Sequence, residues 1–160
     1  MVSRAGLVCL VMMCGVLAGA CGTPQEQATT PATQEKGSAD VSTTEQVLQR
    51  HMDTFGASDM EGILADYAPD AVIFTPNGAV RGTAAIREMF QNMFSEWGQP
   101  GTTFELRQRI VDGRFAFIFW NAETGENRYE GTMDGFVIED GKIVAQFFAG
   151  HITPKAAETK

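Results

Sequence analysis

Cysteine is missing from everything after position 21. The chain has 160 residues and three cysteines, Cys9, Cys14 and Cys21. The remainder carries no thiol, which excludes a disulfide, a cysteine-ligated zinc and a cysteine nucleophile there. Histidine is scarce too: with only His51 and His151, no metal set is expected. There is no G-x-G-x-x-G after a strand, no Walker A pattern and no G-x-S-x-G elbow, so no cofactor is expected either. Basic residues are few: 12 Lys and Arg stand against 20 Asp and Glu, giving a net charge of −8 and a pI near 4.7. Nucleic acid, which requires a basic footprint, is excluded as a partner, and so is electrostatic adhesion to anionic lipid. What remains is 44% hydrophobic, enough for one domain with a core.

The one long apolar run, Ala5–Leu17, follows Arg4 and is too short to span a bilayer comfortably. It has the charged n-region and apolar h-region of a signal peptide. Ala18-Gly19-Ala20-Cys21 follows and resembles a bacterial lipobox. The resemblance implies that residues 1–20 are a lipoprotein signal peptide and that Cys21 is lipidated. The expected protein is exported and held to a membrane by its lipid anchor, on the periplasmic or extracellular side. Residues 21–43, rich in Thr, Gln, Ala, Glu, Ser and Pro, are read as the lipidated cysteine and a disordered tether. The domain is placed at 44–152 and a C-terminal tail at 153–160.

Capping boxes at Ser42–Glu45 and Thr43–Gln46 predict the start of a first helix. Val47, Leu48, His51, Met52 and Phe55 keep helical spacing to about Phe55. Ser58–Glu61 opens a second, short helix, with Ile63, Leu64 and Tyr67 inward. A strand over Ala71–Thr75, a turn at Pro76–Gly78 and a returning Ala79–Arg81 follow. Gly82-Thr83 opens a third helix, whose stripe is Ile86, Phe90, Met93, Phe94 and Trp97. Strands are predicted at Thr103–Val111, Phe115–Asn121, Arg128–Ile138 and Lys142–His151. Asp140-Gly141 between the last two suits a type I′ hairpin turn. Helices segregated from a meander of strands make the class α+β.

Three stretches carry a resemblance. Asp59–Val72 is similar to the second-helix signature of the nuclear transport factor 2-like superfamily, Arg81–Phe90 to the start of its third helix. Asp134-Gly135-Phe136 with Asp140–Ile143 is similar to its closing hairpin. The resemblance covers about Thr44–Ile152 and implies a cystatin-like cone: a curved antiparallel sheet wrapped around the N-terminal helix, with a pocket open at one end. Its members include ketosteroid isomerases, SnoaL-like polyketide cyclases and non-catalytic binding proteins. In the isomerase pattern, Asp134 matches the acidic oxyanion donor and His51 stands where a tyrosine donor belongs. The base falls at Thr75, which cannot act as one, so steroid isomerase activity is not expected.

On that parity the pocket wall would carry Phe117, Phe119, Asn121, Thr132, Asp134, Phe136, Val144, Gln146 and Phe148. Helices would add His51, Phe55, Tyr67 and Phe90. This is an apolar cavity with few polar groups, suited to a small hydrophobic ligand. Asp134 and His51 are its candidate acid–base pair. Two readings stand open: a tethered binding module, and an enzyme of the polyketide cyclase or isomerase type that moves a proton between Asp134 and His51. Ala116, Ile118 and Trp120 would lie on the outer face, the expected surface of a homodimer.

Overall fold

The structure, a computed structural model, describes residues 33–155, with Thr33–Asp40 and Ser42 described by backbone alone. The proposed signal, Cys21 and most of the tether lie outside the described residues. The elements run α1 (Thr33–Gly56), α2 (Met60–Asp66), β1 (Tyr67–Thr75), β2 (Gly78–Arg81), α3 (Gly82–Trp97), β3 (Thr103–Asp112), β4 (Phe115–Glu123), β5 (Asn127–Glu139) and β6 (Lys142–Pro154). No helix among the described residues is long and apolar enough to cross a membrane.

α1 begins upstream of the predicted capping boxes. Good helix formers (Gln34, Glu35, Lys36 and Ala39) continue in that direction, and capping residues are tolerated within a helix when another partner takes their side chains. The neighbouring Thr44 donates its hydroxyl to the Gly113 carbonyl at 2.8 Å, tying α1 to the β3–β4 turn. α2 starts one residue later than the box suggested. Asp59 is its cap and accepts from the Gly62 amide at 3.0 Å. Tyr67, predicted on that helix, is instead the first residue of β1.

The six strands lie in the order β2-β1-β6-β5-β4-β3. The meander and the β1–β2 hairpin are antiparallel, but β1 pairs with β6 in parallel. The sheet is therefore mixed, not wholly antiparallel as expected. Hairpin turns dictate direction only for neighbours in sequence, and β1 and β6 share no turn. At the β5–β6 turn, Asp140 and Gly141 both take positive φ, 49° and 74°, as a type I′ turn requires.

One sheet face packs against the helices. Ile73 of β1, Ile118 of β4, Phe136 and Ile138 of β5 and Ile143 of β6 are buried against Val47 and Leu48 of α1, Ile63 of α2 and Ile86 and Phe90 of α3. Burying each such side chain stabilises the fold by about 1.5–3 kcal/mol.

The parity of β4 is opposite to the expectation. Ile118 pairs with Asp134 and Trp120 with Thr132, and directly opposed residues share a face. Ala116, Ile118 and Trp120, each 5% exposed, are thus inside. Phe117, Phe119 and Asn121 are outside, so the predicted pocket wall and the predicted dimer surface exchange places on this strand. β5 adds a bulge at Gly131 (φ 58°), where the Asn121 side-chain carbonyl accepts from the Gly131 amide at 2.9 Å. The extra residue turns both Tyr129 and Thr132 inward and leaves Glu130 exposed.

Candidate functional site

Between the helices and the inner sheet face lies a cavity of about 1440 Å³. Its helical wall is His51, Met52 and Phe55 of α1 with Met89, Phe90, Met93, Phe94 and Trp97 of α3. The spacing of the last five follows from α3's helical period, which aims one apolar stripe at the sheet. The sheet contributes Ile118, Trp120, Asp134, Phe136, Gln146 and Phe148. The rim includes the Thr75–Asn77 turn, Phe104, His151 and Ile152.

Asp134 is the polar centre. It is 6% exposed, and each carboxylate oxygen has one donor. The Trp120 indole Nε1–H donates to Oδ2 at 2.8 Å, and the Gln146 amide Nε2–H to Oδ1 at 2.7 Å. Gln146 is oriented in turn by the Tyr67 hydroxyl, which donates to its Oε1. Burial pushes the Asp134 carboxyl up to about 6, against the opposing pull of the Gln146 and Trp120 hydrogen bonds. At neutral pH the carboxylate is the prevailing form.

His51 is also 6% exposed. Its ring packs edge-on against Tyr67 at 5.6 Å and Phe136 at 5.3 Å. Burial, assisted by the neighbouring Arg50 charge, lowers its pKa to about 4, so the ring is neutral at neutral pH. Nδ1 is sealed from solvent without a hydrogen-bond partner and lies 3.9 Å from Oδ2 of Asp66. Among the described residues no hydrogen bond or ion pair joins His51 to Asp134. The carboxylate's partners are Trp120 and Gln146, and His51 faces Asp66 instead. Asp66 is fully buried and joined to Arg50 through Oδ1. Desolvation raises its pKa, and Arg50 opposes that.

Of the residues predicted for the pocket, Asp134, His51, Phe55, Phe90, Phe136, Gln146 and Phe148 line the cavity. Tyr67 and Thr132 are buried behind it. Val144 packs against the core from a bulge in β6. Phe117, Phe119 and Asn121 leave the site for the reason given above: the β4 register turns them to the other face. Sequence reasoning missed Trp120 as the partner of Asp134. It also missed Asp66, which lies three residues after Ile63 and so on the same buried face of α2. No group of three or more metal-binding side chains occurs among the described residues. Thr75 holds the turn: its hydroxyl donates to the Gly78 carbonyl at 3.1 Å and accepts from the Asn77 amide at 3.2 Å.

Three helices against a six-stranded mixed sheet with a cavity between them define an α+β fold of the nuclear transport factor 2-like, cystatin-like class. Residues 48–146 match the SnoaL-like domain, and the chain belongs to that family. Solved structures share the fold. One is a candidate ketosteroid isomerase from Kribbella flavida, 20% identical over 76% of this chain and 84% of that one, with a TM-score of 0.59. Another is a candidate polyketide cyclase from Sinorhizobium meliloti, 19% identical over 65% and 94%, with a TM-score of 0.55. A third is a protein of unknown function from Mesorhizobium loti, described as nuclear transport factor 2-like, 22% identical over 69% and 93%, with a TM-score of 0.57. At these identities the likeness is one of fold.

Proposed function

We propose that this SnoaL-like domain binds a small hydrophobic molecule in its cavity and is held to the membrane through lipid on Cys21. Steroid isomerisation by the familiar route is not part of the proposal, because Thr75 supplies no base. The observation that carries the binding reading is an aromatic cavity of about 1440 Å³ that reaches a single buried, hydrogen-bonded carboxyl, Asp134. An apolar wall with a few convergent polar groups, here Asp134, Gln146 and His51, is the usual build of a small-molecule site. The test uses the neutral probe N-phenyl-1-naphthylamine. Saturable fluorescence enhancement is expected with the wild type and is expected to weaken in the Met89→Trp, Met93→Trp double variant, which narrows the cavity between α3 and the sheet. Equal binding by the variant would place the probe elsewhere and remove the reading. For the anchor, Cys21→Ser is expected to release the protein from the membrane fraction. Unchanged processing and fractionation would refute lipidation.

A second reading, proton transfer by Asp134 and His51 on a bound carbonyl compound, draws on the placing of both buried side chains on the cavity wall, where burial displaces the Asp134 carboxyl toward neutrality. Deuterium exchange at the α-carbon of 2-decanone, followed by NMR, tests it. Acceleration by the wild type but not by Asp134→Asn is expected on this reading, and no acceleration rejects it.

The assembly proposal moves to the true outer face. Phe74, Phe147, Gly135, Phe117 and Ile110 are successive partners across five strands. Phe74 stacks on Phe147 at 5.1 Å. With Phe115 and Met133 they leave large apolar side chains exposed, Phe115 by 51% and Phe147 by 46%. At about 80–100 Å² each, five such side chains present roughly 400–500 Å². That is at the upper end for a lone monomer patch and about half of what one partner buries in a standard interface. A second copy of this chain, packing the same face against itself, is the proposed occupant.

A further inference from the structure

The cavity's charges are of one sign. Among the described residues, no lysine or arginine lines it, whereas Asp53 and Asp134 both do. Asp53 is engaged at the exposed side by the Gln49 amide at 2.9 Å. Asp134 is buried, and its two recorded partners, Trp120 and Gln146, are neutral. Dipoles hold that carboxylate in place, but among the described residues no cation is bonded to it. Each carboxylate oxygen accepts from one donor and keeps capacity for another. An unbalanced buried carboxylate is costly in an apolar wall, and its displaced titration is the expected consequence.

The rings packed around Trp120, the carboxylate's indole donor, complete the pattern. Trp120, which donates to Asp134, lies 5.6 Å from Trp97, 5.9 Å from Tyr129 and 6.4 Å from Phe148, centroid to centroid. All four line the cavity. Faces of Trp and Tyr attract organic cations through the ring quadrupole, and more strongly where water is excluded. A carboxylate ligand meets the opposite situation: like charge at Asp134, with no guanidinium or ammonium on the wall to receive it.

We propose that the cavity selects an amphiphilic organic cation, an amine or quaternary ammonium on a hydrophobic body, with its cationic end beside Asp134 and the Trp97–Trp120–Tyr129 cluster. This rests on the reading of the cavity as a ligand site and names the ligand's chemical class. The same charge pattern disfavours fatty acids and other carboxylates. A neutral alcohol, which can donate one hydrogen bond to Asp134, falls between.

Trp97 and Trp120 are the chain's only two tryptophans, and both line the cavity, so intrinsic fluorescence reports on the site. Decyltrimethylammonium and decanoate, each below its micelle concentration, and 1-decanol, below its solubility limit, are titrated into the wild-type protein. The expected order is cation tightest, alcohol next and carboxylate weakest, with the cation at least about tenfold tighter than decanoate. Asp134→Asn is expected to weaken the cation much more than decanol, so that the gap between the two closes. The wild-type ranking is decisive even where the variant folds poorly. Decanoate binding as tightly as the cation, or all three binding alike, overturns the cation proposal and leaves the binding site standing. Failure of all three to bind overturns both.

Discussion

His51 and Asp134 are both buried, and burial moves them in opposite directions. The consequence is a stability profile in which two slopes hide each other. His51 titrates near 4 in the folded protein against 6.5 when unfolded. Between these values the unfolded chain binds more protons, so stability rises with pH and is complete above about 6.5. Asp134 titrates near 6 folded against 3.8 unfolded. Here the folded chain binds more protons, so stability falls as pH rises and that contribution is gone above about 6. At about 1.4 kcal/mol per pH unit, each amounts to about 3 kcal/mol. The windows overlap between about pH 4 and pH 6, and the two contributions nearly cancel there.

Removing one group exposes the other. Asp134→Asn is expected to gain about 3 kcal/mol relative to wild type on going from about pH 4 to pH 7. His51→Gln is expected to lose about as much over the same range. The surface carboxylates are common to all three proteins and drop out of these differences; Asp66, 3.9 Å from His51 Nδ1, is common to wild type and Asp134→Asn, which makes that pair the decisive comparison. Asp134→Asn also has a constant cost of about 1–3 kcal/mol, because one amide oxygen cannot serve both the Trp120 and Gln146 donors. That cost shifts the curve without tilting it. Urea unfolding followed by tryptophan fluorescence gives the free energies, with the m-value checking that the transition is unchanged. A pH-independent difference between Asp134→Asn and wild type would refute the reasoning. It would mean that the folded protein holds Asp134 no more protonated than the unfolded chain does.

Three further outcomes are expected. Trp120→Phe removes the donor to Asp134 Oδ2, so the Asp134 carboxyl should titrate above its wild-type position, read by carbon NMR of labelled aspartate; an unchanged titration would show that the indole bond does not act on it. Gly150→Ala would set a methyl 2.6 Å from the Thr132 hydroxyl and 2.9 Å from its Cα. It should lower unfolding free energy by about 1–3 kcal/mol in urea melts, and a neutral result would show that β5 and β6 separate easily there. Phe147→Asp should convert a dimer to a monomer in sedimentation at tens of micromolar, about the range of weak interfaces. A wild-type protein that is already monomeric there, or a variant that stays dimeric, would remove the proposed interface.

Much of the fold was legible because its signals are local. The Asp140-Gly141 turn and the stripe from Ile86 to Trp97 each follow from a few adjacent residues and appear where the pattern placed them, while the cap of α2 falls one residue on from the predicted Ser58, at Asp59. The parallel contact between β1 and β6 had no such signal. It joins strands separated by β2, α3 and the three strands β3–β5, and nothing in either strand states its direction.

The parity of β4 shows where sequence reading loses the site. Phe115, Phe117 and Phe119 alternate with Ala116, Ile118 and Trp120, so both faces are apolar and hydrophobic alternation cannot choose between them. The choice is made by register against β5, and the bulge at Gly131 shifts that register within the same pair of strands. One clue was present. Asn121 and Glu123 continue the phase of the three phenylalanines, and a face that ends in an amide and a carboxylate at a strand terminus belongs outside. Taking it would have turned Trp120 inward, beside Asp134. The two functional questions therefore have one structural origin. The register that gives Asp134 its indole donor also leaves Phe115, Phe117 and Phe119 facing outward, where the proposed second copy would cover them. A substitution that slips β4 by one residue would exchange the two faces, and it should disturb the titration of Asp134 and the assembly together.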